Sequence, residues 1–478
     1  MKKFLIEELA RIIKAHPAAP ELAIHNTQYA IRDITGVSTD SRTTKAGDCF
    51  FAIPGENFDG HDYVSEAFAK GAVCAVVSKE LDKQTLTGKC LLRVEDTIKA
   101  LGDFAREYRR QSGFKVVAIT GSAGKTTTKQ IAYHALSQRF RVYQSPRSFN
   151  NKIGLPLTLL GAEPQDQIVI TELGSNHPGE IAYLTRIALP DIAVVTNVYP
   201  AHLEGFVDLQ TIIQEKLSIS EGLGPDGVLI INADFNQLVR TCQAKGIKFV
   251  AFGKSNGSDY QAQNISSDGL TSRFTIDGTE VYLPLAGPGN VENALAAWVV
   301  CSQFGLTIDD FAQAVKILSP LSMRAELQQI GTLTVLNDCY NANPASMNNA
   351  LHILCNLNSN GKRRLVFICG DMAELGQQTV HLHTKLGEHI VQAKVQLLLT
   401  VGKFAKIAAE AAKRDAEYNL QIKCFEDTLS ACNNLHEFIK DYDIILVKGS
   451  RVAKLEMAVE KLRELQICDC QFPIVNEK

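Results

Sequence analysis

The chain has 478 residues, of which 45% are hydrophobic and 21% charged, and a formal net charge of -3. These are ordinary values for a soluble globular protein; no polybasic face points to nucleic acid or a membrane surface, and no run approaches the roughly 18 apolar residues of a membrane span. At ~150 residues per domain the length predicts about three domains. The 12 cysteines are scattered without Cys-x-x-Cys spacing, which suits small buried side chains in a reducing cytoplasm.

The opening stretch MKKFLIEELARIIKAH predicts a helix with Leu5, Leu9, Ile12 and Ile13 inward, and Glu7, Glu8 and Arg11 interrupt any signal-peptide core. Residues 1–112 read as a first domain, with short strands at 48–53, 72–77 and 90–94 and a closing helix from Glu95. Ile98, Leu101, Ala105 and Tyr108 give that helix one apolar face. STDSR at 38–42 and GENFDGH at 55–61 are polar clusters beside strands, and by chemistry alone they read equally well as turns.

Residues 113–320 form a second region. It opens with KVVAITGSAGKTTTKQ at 115–130, an apolar strand running into a turn bracketed by Gly121 and Gly124, then a helix with Ile131, Ala132, Ala135 and Leu136 at helical spacing. A helix starting at such a turn aims unpaired N–H groups and its positive dipole end at one spot, which suits a polyphosphate. Lys125 adds a full charge there, and the Thr126 hydroxyl is a candidate magnesium ligand. Only two residues separate Gly121 from Gly124, where the standard loop has four before its Gly-Lys pair. Apolar runs at 168–171, 192–196, 228–231 and 249–252 predict parallel strands with covering helices. Glu172 and His202 follow two of them, at the carboxyl ends where ligands of open α/β sheets collect, and are credible members of a magnesium site. Beyond Asp259 an alternating pattern around Asp277-Gly278 predicts a hairpin, and a helix starts at Asn290.

The third region, 321–478, is again α/β, with strands at 333–336, 365–369, 397–401 and 444–447. Polar clusters follow at 337–344, 370–376 and 448–451, which read as one binding edge. Pro320 interrupts the helical pattern between the second and third regions and places a hinge at 319–322.

Together these motifs resemble the Mur ligases, the ATP-dependent amide-forming enzymes of peptidoglycan synthesis, over essentially the whole chain. TGSAGKTTTK is similar to the family's phosphate loop, shortened spacing included. STDSR and FFAIPGENFDGHDYV resemble its UDP-binding domain, while DCYNANPASM, GDMAELG with the following HTKLG, and LVKGSR resemble the branch that adds D-alanyl-D-alanine.

The resemblance implies an α/β protein of three domains: an amino-terminal UDP-binding domain (1–112), a central phosphate-loop ATPase domain with a mostly parallel sheet (113–320) and a carboxy-terminal Rossmann-like domain (321–478). It implies a cytoplasmic, monomeric ligase that uses ATP and Mg2+ to join D-Ala-D-Ala to UDP-MurNAc-tripeptide through an acyl phosphate, with no nucleic acid and no membrane span. By the same resemblance Gly121, Ser122, Ala123, Gly124, Lys125, Thr126 and Thr127 cradle the phosphates. Thr126 and Glu172 hold the first magnesium, His202 serves a second, and Lys216 carries a carbamate. Asn290 and Asn293 approach the adenosine, and Arg324 and Asp338 reach the phosphates and ribose. Asn150 and Asn151 line the nucleotide and peptide site, Ser41 and Arg42 contact UDP, and Tyr340, Asn341 and Asn343 face D-Ala-D-Ala.

Two positions depart from the family pattern. Ser218 stands where an acidic residue often follows the carbamylated lysine, and Gly289 where a histidine often precedes the adenosine-side asparagine. Other readings are a different amide ligase of this fold, either the ligase adding the third peptide residue or a folylpolyglutamate synthase, and a non-catalytic nucleotide-gated binding protein. DCYNANPASM argues against the first two; Glu172, His202 and Lys216 together argue against the third.

Overall fold

The structure, a computed structural model, describes residues 1–17, 32–81, 86, 88–146, 148–201, 203–359 and 361–469, the side chains of the last helix as far as 465. The chain builds three sheets in succession along its length, each covered by helices.

The first is five-stranded, in the order His16–Pro17, Leu91–Arg93, Cys74–Val77, Asp48–Phe51 and Gly36–Ser38, parallel except for its first pair. Its central strands are buried along their whole length, as strands covered on both faces must be. One cover is Val64–Ala69 and the other Thr97–Gln111, whose amino terminus is capped by Asp96 accepting from the amides of Ile98 and Lys99. The expected amino-terminal helix is shorter than its pattern suggested. Phe4–Leu5 pairs with Asp33–Ile34 as a small antiparallel ribbon, and the helix covers only Ile6–Ile12. Strand alternation therefore turns Leu5 to solvent, 41% exposed, while Leu9 and Ile13 face inward as expected and Ile12 is half-buried.

The Thr97–Gln111 helix belongs as much to the next sheet as to its own. Phe4, Leu9, Leu101, Phe104 and Tyr108 share one apolar core with Val116, Leu155, Ile181 and Ile213. Gly102 is part of the reason: a Cβ there would lie 2.9 Å from the Ile187 side chain, so the absent side chain lets the helix Glu180–Ala188 approach. Polar bonds cross the same junction. The Tyr108 hydroxyl donates to Ala162 O at 2.6 Å, and Arg109 donates to Asp191 Oδ2 at 2.8 Å and Leu189 O at 3.2 Å.

The middle sheet has seven parallel strands in the order Tyr260–Gln261, Val250–Gly253, Val228–Asn232, Ile192–Val195, Lys115–Thr120, Ile168–Glu172 and Val142–Gln144. Lys115–Thr120 comes first in sequence yet lies inside the sheet, so the connections diverge from it and open a crevice at its carboxyl end. The expected hairpin is present as Ser272–Ile276 and Thr279–Leu283, with φ of 48° at Asp277 and 84° at Gly278, the two left-handed residues of a tight hairpin turn. The following helix begins at Pro288, two positions before the expected start, because proline supplies a first-turn residue that needs no amide partner.

Residues 317–325 lead through turns and bends into the third sheet. Its order is Glu326–Ile330, Leu333–Asn337, Ile444–Lys448, Leu365–Gly370, Leu397–Val401 and Gln421–Phe425, with an antiparallel first pair and the rest parallel. The strands ending at Asn337, Lys448 and Gly370 are neighbours, so the three polar clusters that follow them share one edge, as expected. Leu203, Phe206 and Ile212, from the segment before the helix Leu209–Leu217 and from that helix, pack into this domain's core beside Met372 and Leu375.

Asp191 is the polar keystone between the first two sheets, because it accepts from Arg109, from Lys115 Nζ and from the amide of Val116, each at 2.8 Å. Asp191→Ala leaves the last amide without a partner, and the expected loss is about 2–4 kcal/mol, read as a lower urea midpoint. Asp191→Asn, which keeps an acceptor, loses less.

Candidate active site

The turn after Lys115–Thr120 is tight for identifiable reasons. Gly121 and Gly124 have φ of 146° and 81°, and a Cβ on them would fall 2.0 Å from Thr196 Oγ1 and 2.0 Å from Asn293 Oδ1 respectively. Only glycine satisfies both the backbone and the space. The loop is strapped to the neighbouring strand end: the Ala123 amide donates to Asn197 Oδ1 at 2.8 Å, Thr196 Oγ1 donates to Ala123 O at 2.7 Å, and Ser122 Oγ donates to Tyr199 O at 2.9 Å. From Gly124 the helix Lys125–Leu136 begins with no side-chain cap, so its first amides remain available to an anion.

Lys125 folds back over the loop and donates to Gly121 O at 2.7 Å. Burial lowers its proton affinity, the nearby Glu172 carboxylate works against that, and the Arg324 guanidinium adds to it. Thr126 Oγ1 donates to Glu172 Oε2 at 3.2 Å and accepts from Arg324 Nη2 at 3.3 Å. One hydroxyl thus joins the helix, the end of Ile168–Glu172 and the start of the third domain. Thr127 is buried beside it. The Arg324 guanidinium lies 4.0 Å over the ring of Tyr340, whose hydroxyl shares a hydrogen bond with Ser148 of the middle domain.

Glu172 is 1% exposed, and its Oε1 lies 2.9 Å from Lys129 Nζ. Lys129 is equally buried and also donates to Ser145 O at 2.9 Å and Ser145 Oγ at 3.1 Å. Sequence reasoning missed Lys129. The available signal is that it follows Lys125 by one helical turn, in line with the apolar residues of the buried face.

Lys216 is 2% exposed near the end of Leu209–Leu217, and its Nζ donates to Ser175 Oγ at 2.8 Å, three residues beyond Glu172. Burial, with the charge of Lys125, brings its proton affinity down from 10.5 to about 7. Ser218, the departure from the family pattern, turns its hydroxyl back to Glu215 O at 2.6 Å. The Glu215 carboxylate points elsewhere, accepting the amides of Gly179 at 2.7 Å and Ile181 at 2.8 Å at the start of Glu180–Ala188. His202 lies outside the described residues.

The remaining expected residues divide into two groups. Asn290 and Asn293 sit side by side beneath the phosphate loop, with Asn293 Nδ2 donating to Asn290 Oδ1 at 3.2 Å and Thr128 Oγ1 donating to Asn293 Oδ1 at 3.4 Å. Asp338 is held by Lys448 Nζ at 2.6 Å and accepts the Ala325 amide at 3.0 Å; the same ammonium donates to Asn341 O at 2.9 Å. Lys448, which the sequence reading placed in the 448–451 cluster without giving it a role, is buried at the end of an apolar strand. Asn343 caps the helix Pro344–Leu357 and donates from Nδ2 to Ser122 O at 3.3 Å. Asn151 Oδ1 accepts the amides of Ile153 at 3.1 Å and Gly154 at 2.9 Å where Gly154–Gly161 begins, and Asn150 packs against Gly174.

All of these line, or lie directly behind, one cleft of about 1520 Å³ whose walls come from all three domains, Glu56 and Lys99 being among the first domain's share. Ser41 and Arg42 do not line it. Ser41 donates to Glu66 Oε2 at 3.0 Å, and Arg42, 83% exposed, pairs with Asp40 at 2.7 Å.

No group of three or more His, Cys, Asp or Glu able to hold a metal occurs among the described residues. The Thr126 hydroxyl against the Glu172 carboxylate nonetheless suits Mg2+, which takes one or two protein oxygens and completes its shell with water and phosphate.

Family models match almost all of this architecture: "Mur ligase family, catalytic domain" over residues 33–109, "Mur ligase middle domain" over 119–301 and "Mur ligase, glutamate ligase domain" over 323–451. The chain belongs to the Mur ligase family. It is 35% identical to the UDP-N-acetylmuramoyl-tripeptide--D-alanyl-D-alanine ligase of Bacillus subtilis, covering 97% of this chain and 99% of that one. Among solved structures, MurF from Acinetobacter baumannii superposes with a TM-score of 0.86 at 30% identity, over 97% of this chain and 99% of that one. MurF from Thermotoga maritima in complex with ADP does so with a TM-score of 0.80 at 25% identity, over 91% and 99%.

Two outcomes test this electrostatic arrangement. Lys129→Met leaves the buried Glu172 carboxylate uncompensated and costs roughly 3–5 kcal/mol in denaturant titration, most of which Glu172→Gln in the same chain recovers. In CO2-free buffer, Lys216→Met raises the melting temperature. Because the amine titrates near 7 when folded and near 10.5 when free, the unfolded chain binds the proton between those values and wild-type stability rises with pH across that window. The variant's gain, on the order of a few kcal/mol, is therefore full below about pH 7 and fades as pH climbs towards the upper value.

Proposed function

We propose that this chain is an ATP-dependent, ADP-forming ligase that joins D-alanyl-D-alanine to UDP-N-acetylmuramoyl-tripeptide, giving the UDP-MurNAc-pentapeptide of peptidoglycan synthesis. The observation that carries this is the convergence of the phosphate loop, Glu172, buried Lys216 and Arg324 where three domains meet. A simple nucleotide switch needs no third domain at its phosphates. The full-length likeness to the Bacillus subtilis ligase and to the ADP-bound MurF supports the choice of reaction and of ATP.

The chemistry must bring an anionic carboxylate against a triphosphate. The loop amides and Lys125 hold the β- and γ-phosphates, and Arg324, fixed over Tyr340, reaches the oxygens over which the moving phosphoryl group spreads its charge. The γ-phosphoryl group passes to the terminal carboxylate oxygen of the tripeptide, leaving ADP. The amine of D-Ala-D-Ala then attacks the acyl carbon, and the tetrahedral adduct collapses to amide and phosphate with loss of a proton. Thr126 and Glu172 would hold Mg2+, with His202 and Lys216 serving a second ion; bound there, magnesium screens the repulsion between the two anions. Lys216 suits a carbamate because an amine with a proton affinity near 7 is available in its neutral form to add CO2, releasing one proton.

Asn290, Asn293 and Asp338 are assigned to the nucleoside and Asn150 and Asn151 to the nucleotide and peptide side. Tyr340, Asn341 and Asn343 are assigned to the dipeptide, and Ser41 and Arg42 to UDP. The last pair acts from outside the cleft walls, and the distance is closed by the length of the UDP-sugar-peptide and by domain movement about residues 319–322. The domain limits proposed are 1–112, 113–320 and 321–478, and the enzyme is taken to act as a cytoplasmic monomer. No helix among the described residues is long and apolar enough to cross a membrane.

Phosphate release is measured with ATP, UDP-MurNAc-tripeptide and D-Ala-D-Ala, each omitted in turn. The expected outcome is release only with all three present, and loss of at least about 100-fold in Lys125→Ala. Release that ignores D-Ala-D-Ala, or none with any tripeptide, would replace this reading with a different acceptor or with binding alone.

A further inference from the structure

The helix Pro288–Gln303 starts at Gly287, which has no side chain to cap it, and no residue of its own segment supplies a side-chain cap. The amide of Gly289, in the first turn, has no acceptor within its helix. It donates instead to Asn349 Oδ1 at 3.1 Å, across sixty positions of sequence and from the middle domain to the third. The fit depends on two glycines, since a Cβ on Gly287 or Gly289 would lie 3.1 Å from the same oxygen. Because an amide must meet an oxygen, the orientation of the Asn349 carboxamide is fixed by this bond. Its Nδ2 has no hydrogen-bond partner among the described residues, and Asn349 lines the cleft with Gly289, Asn290 and Asn293.

Asn349 stands on Pro344–Leu357, whose cap Asn343 donates to Ser122 O in the phosphate loop. From Asn343 to Asn349 the helix rises about 9 Å. One rigid helix of the third domain therefore touches the phosphate end of the cleft at its start and, nearly two turns later, the wall of Gly289, Asn290 and Asn293 to which the nucleoside is assigned above.

We propose that Asn349 is a specificity-determining residue that reads the nucleoside from the third domain. Its Oδ1 caps the middle-domain helix, and its Nδ2 donates to an acceptor on the base or ribose. The inference rests on the reading of the loop as an ATP site. It goes beyond that reading by assigning nucleoside recognition to a group that is in place only while the third domain is docked.

Calorimetric titration of the full chain with ADP and, separately, with inorganic tripolyphosphate tests it, because the second probe occupies the loop without a nucleoside. Asn349→Ala is expected to weaken ADP by about 3- to 10-fold, one hydrogen bond's worth, while tripolyphosphate binds as before. Asn349→Asp, which keeps the capping oxygen and loses the donor, is expected to melt like the wild type and still lose ADP relative to tripolyphosphate. Gly289→Ala, whose methyl group displaces the carboxamide, is expected to lose ADP similarly, and the Gly289→Ala/Asn349→Ala pair no more than either alone. Equal losses for both probes, or unchanged ADP affinity in Asn349→Ala and Gly289→Ala, would reduce Asn349 to a helix cap and overturn the proposal. A wild-type chain that binds neither probe would instead remove the ATP reading itself, and this inference with it.

Discussion

Four cationic side chains, Lys125, Lys129, Lys216 and Arg324, gather around Glu172 and the phosphate loop, and two of them, Lys129 and Lys216, are almost wholly enclosed. Collecting like charges in a poorly solvated space is unfavourable, and each cation is given some relief: a loop carbonyl for Lys125, the Glu172 carboxylate for Lys129, a serine hydroxyl for Lys216 and an aromatic face for Arg324. These are weak substitutes for the charge of a triphosphate. The fold holds an electrostatic deficit in place, and a polyanion arriving there meets groups already positioned, so little reorganisation accompanies the chemistry. Much of the remaining architecture keeps that cluster assembled: the straps from Thr196, Asn197 and Tyr199, the glycine at 124 that lets Asn293 close in, and the Asn343 and Asn349 contacts from the third domain.

The cluster also explains why neighbouring residues do such different work. Glu215 and Lys216 are adjacent, yet one secures the start of another helix through two amides while the other turns into the site. Lys125 and Lys129 differ by one turn, and the first covers the loop while the second neutralises the metal-ligand candidate from behind. In each pair, position on the helix decides the role more than residue type does.

What the sequence revealed follows from what local pattern can encode. Strand runs, the hairpin at Asp277-Gly278 and the loop between Gly121 and Thr127 depend on neighbours a few positions apart, and they were legible. Leu5 was misplaced because a two-residue ribbon with Asp33–Ile34 overrides the helical spacing around it, and that pairing is invisible from the local stretch. Lys129, Ser175 and Asn197 were missed, and Lys448 was read only as part of a strand-end cluster, because their meaning comes from what they touch: Glu172, Lys216, Ala123 and Asp338, respectively. The lowered proton affinity of Lys216 comes from burial near another cation, and only the fold brings the two together. Asn151 and Asn343, read from resemblance as ligand residues, also accept backbone amides where helices begin, a local duty that sequence shows as readily as a functional one.

The Tyr108–Ala162 and Arg109–Asp191 bonds and the core running from Phe4 to Ile213 mean that residues 1–112 are not a detachable cassette. A chain severed after Ser112 would present Leu101, Phe104, Ala105 and Tyr108 to water on one piece and strip the cover from Leu155 and Ile181 on the other. Residues 1–112 therefore fold against a matching surface of the middle domain, and a replacement unit must carry that surface with it.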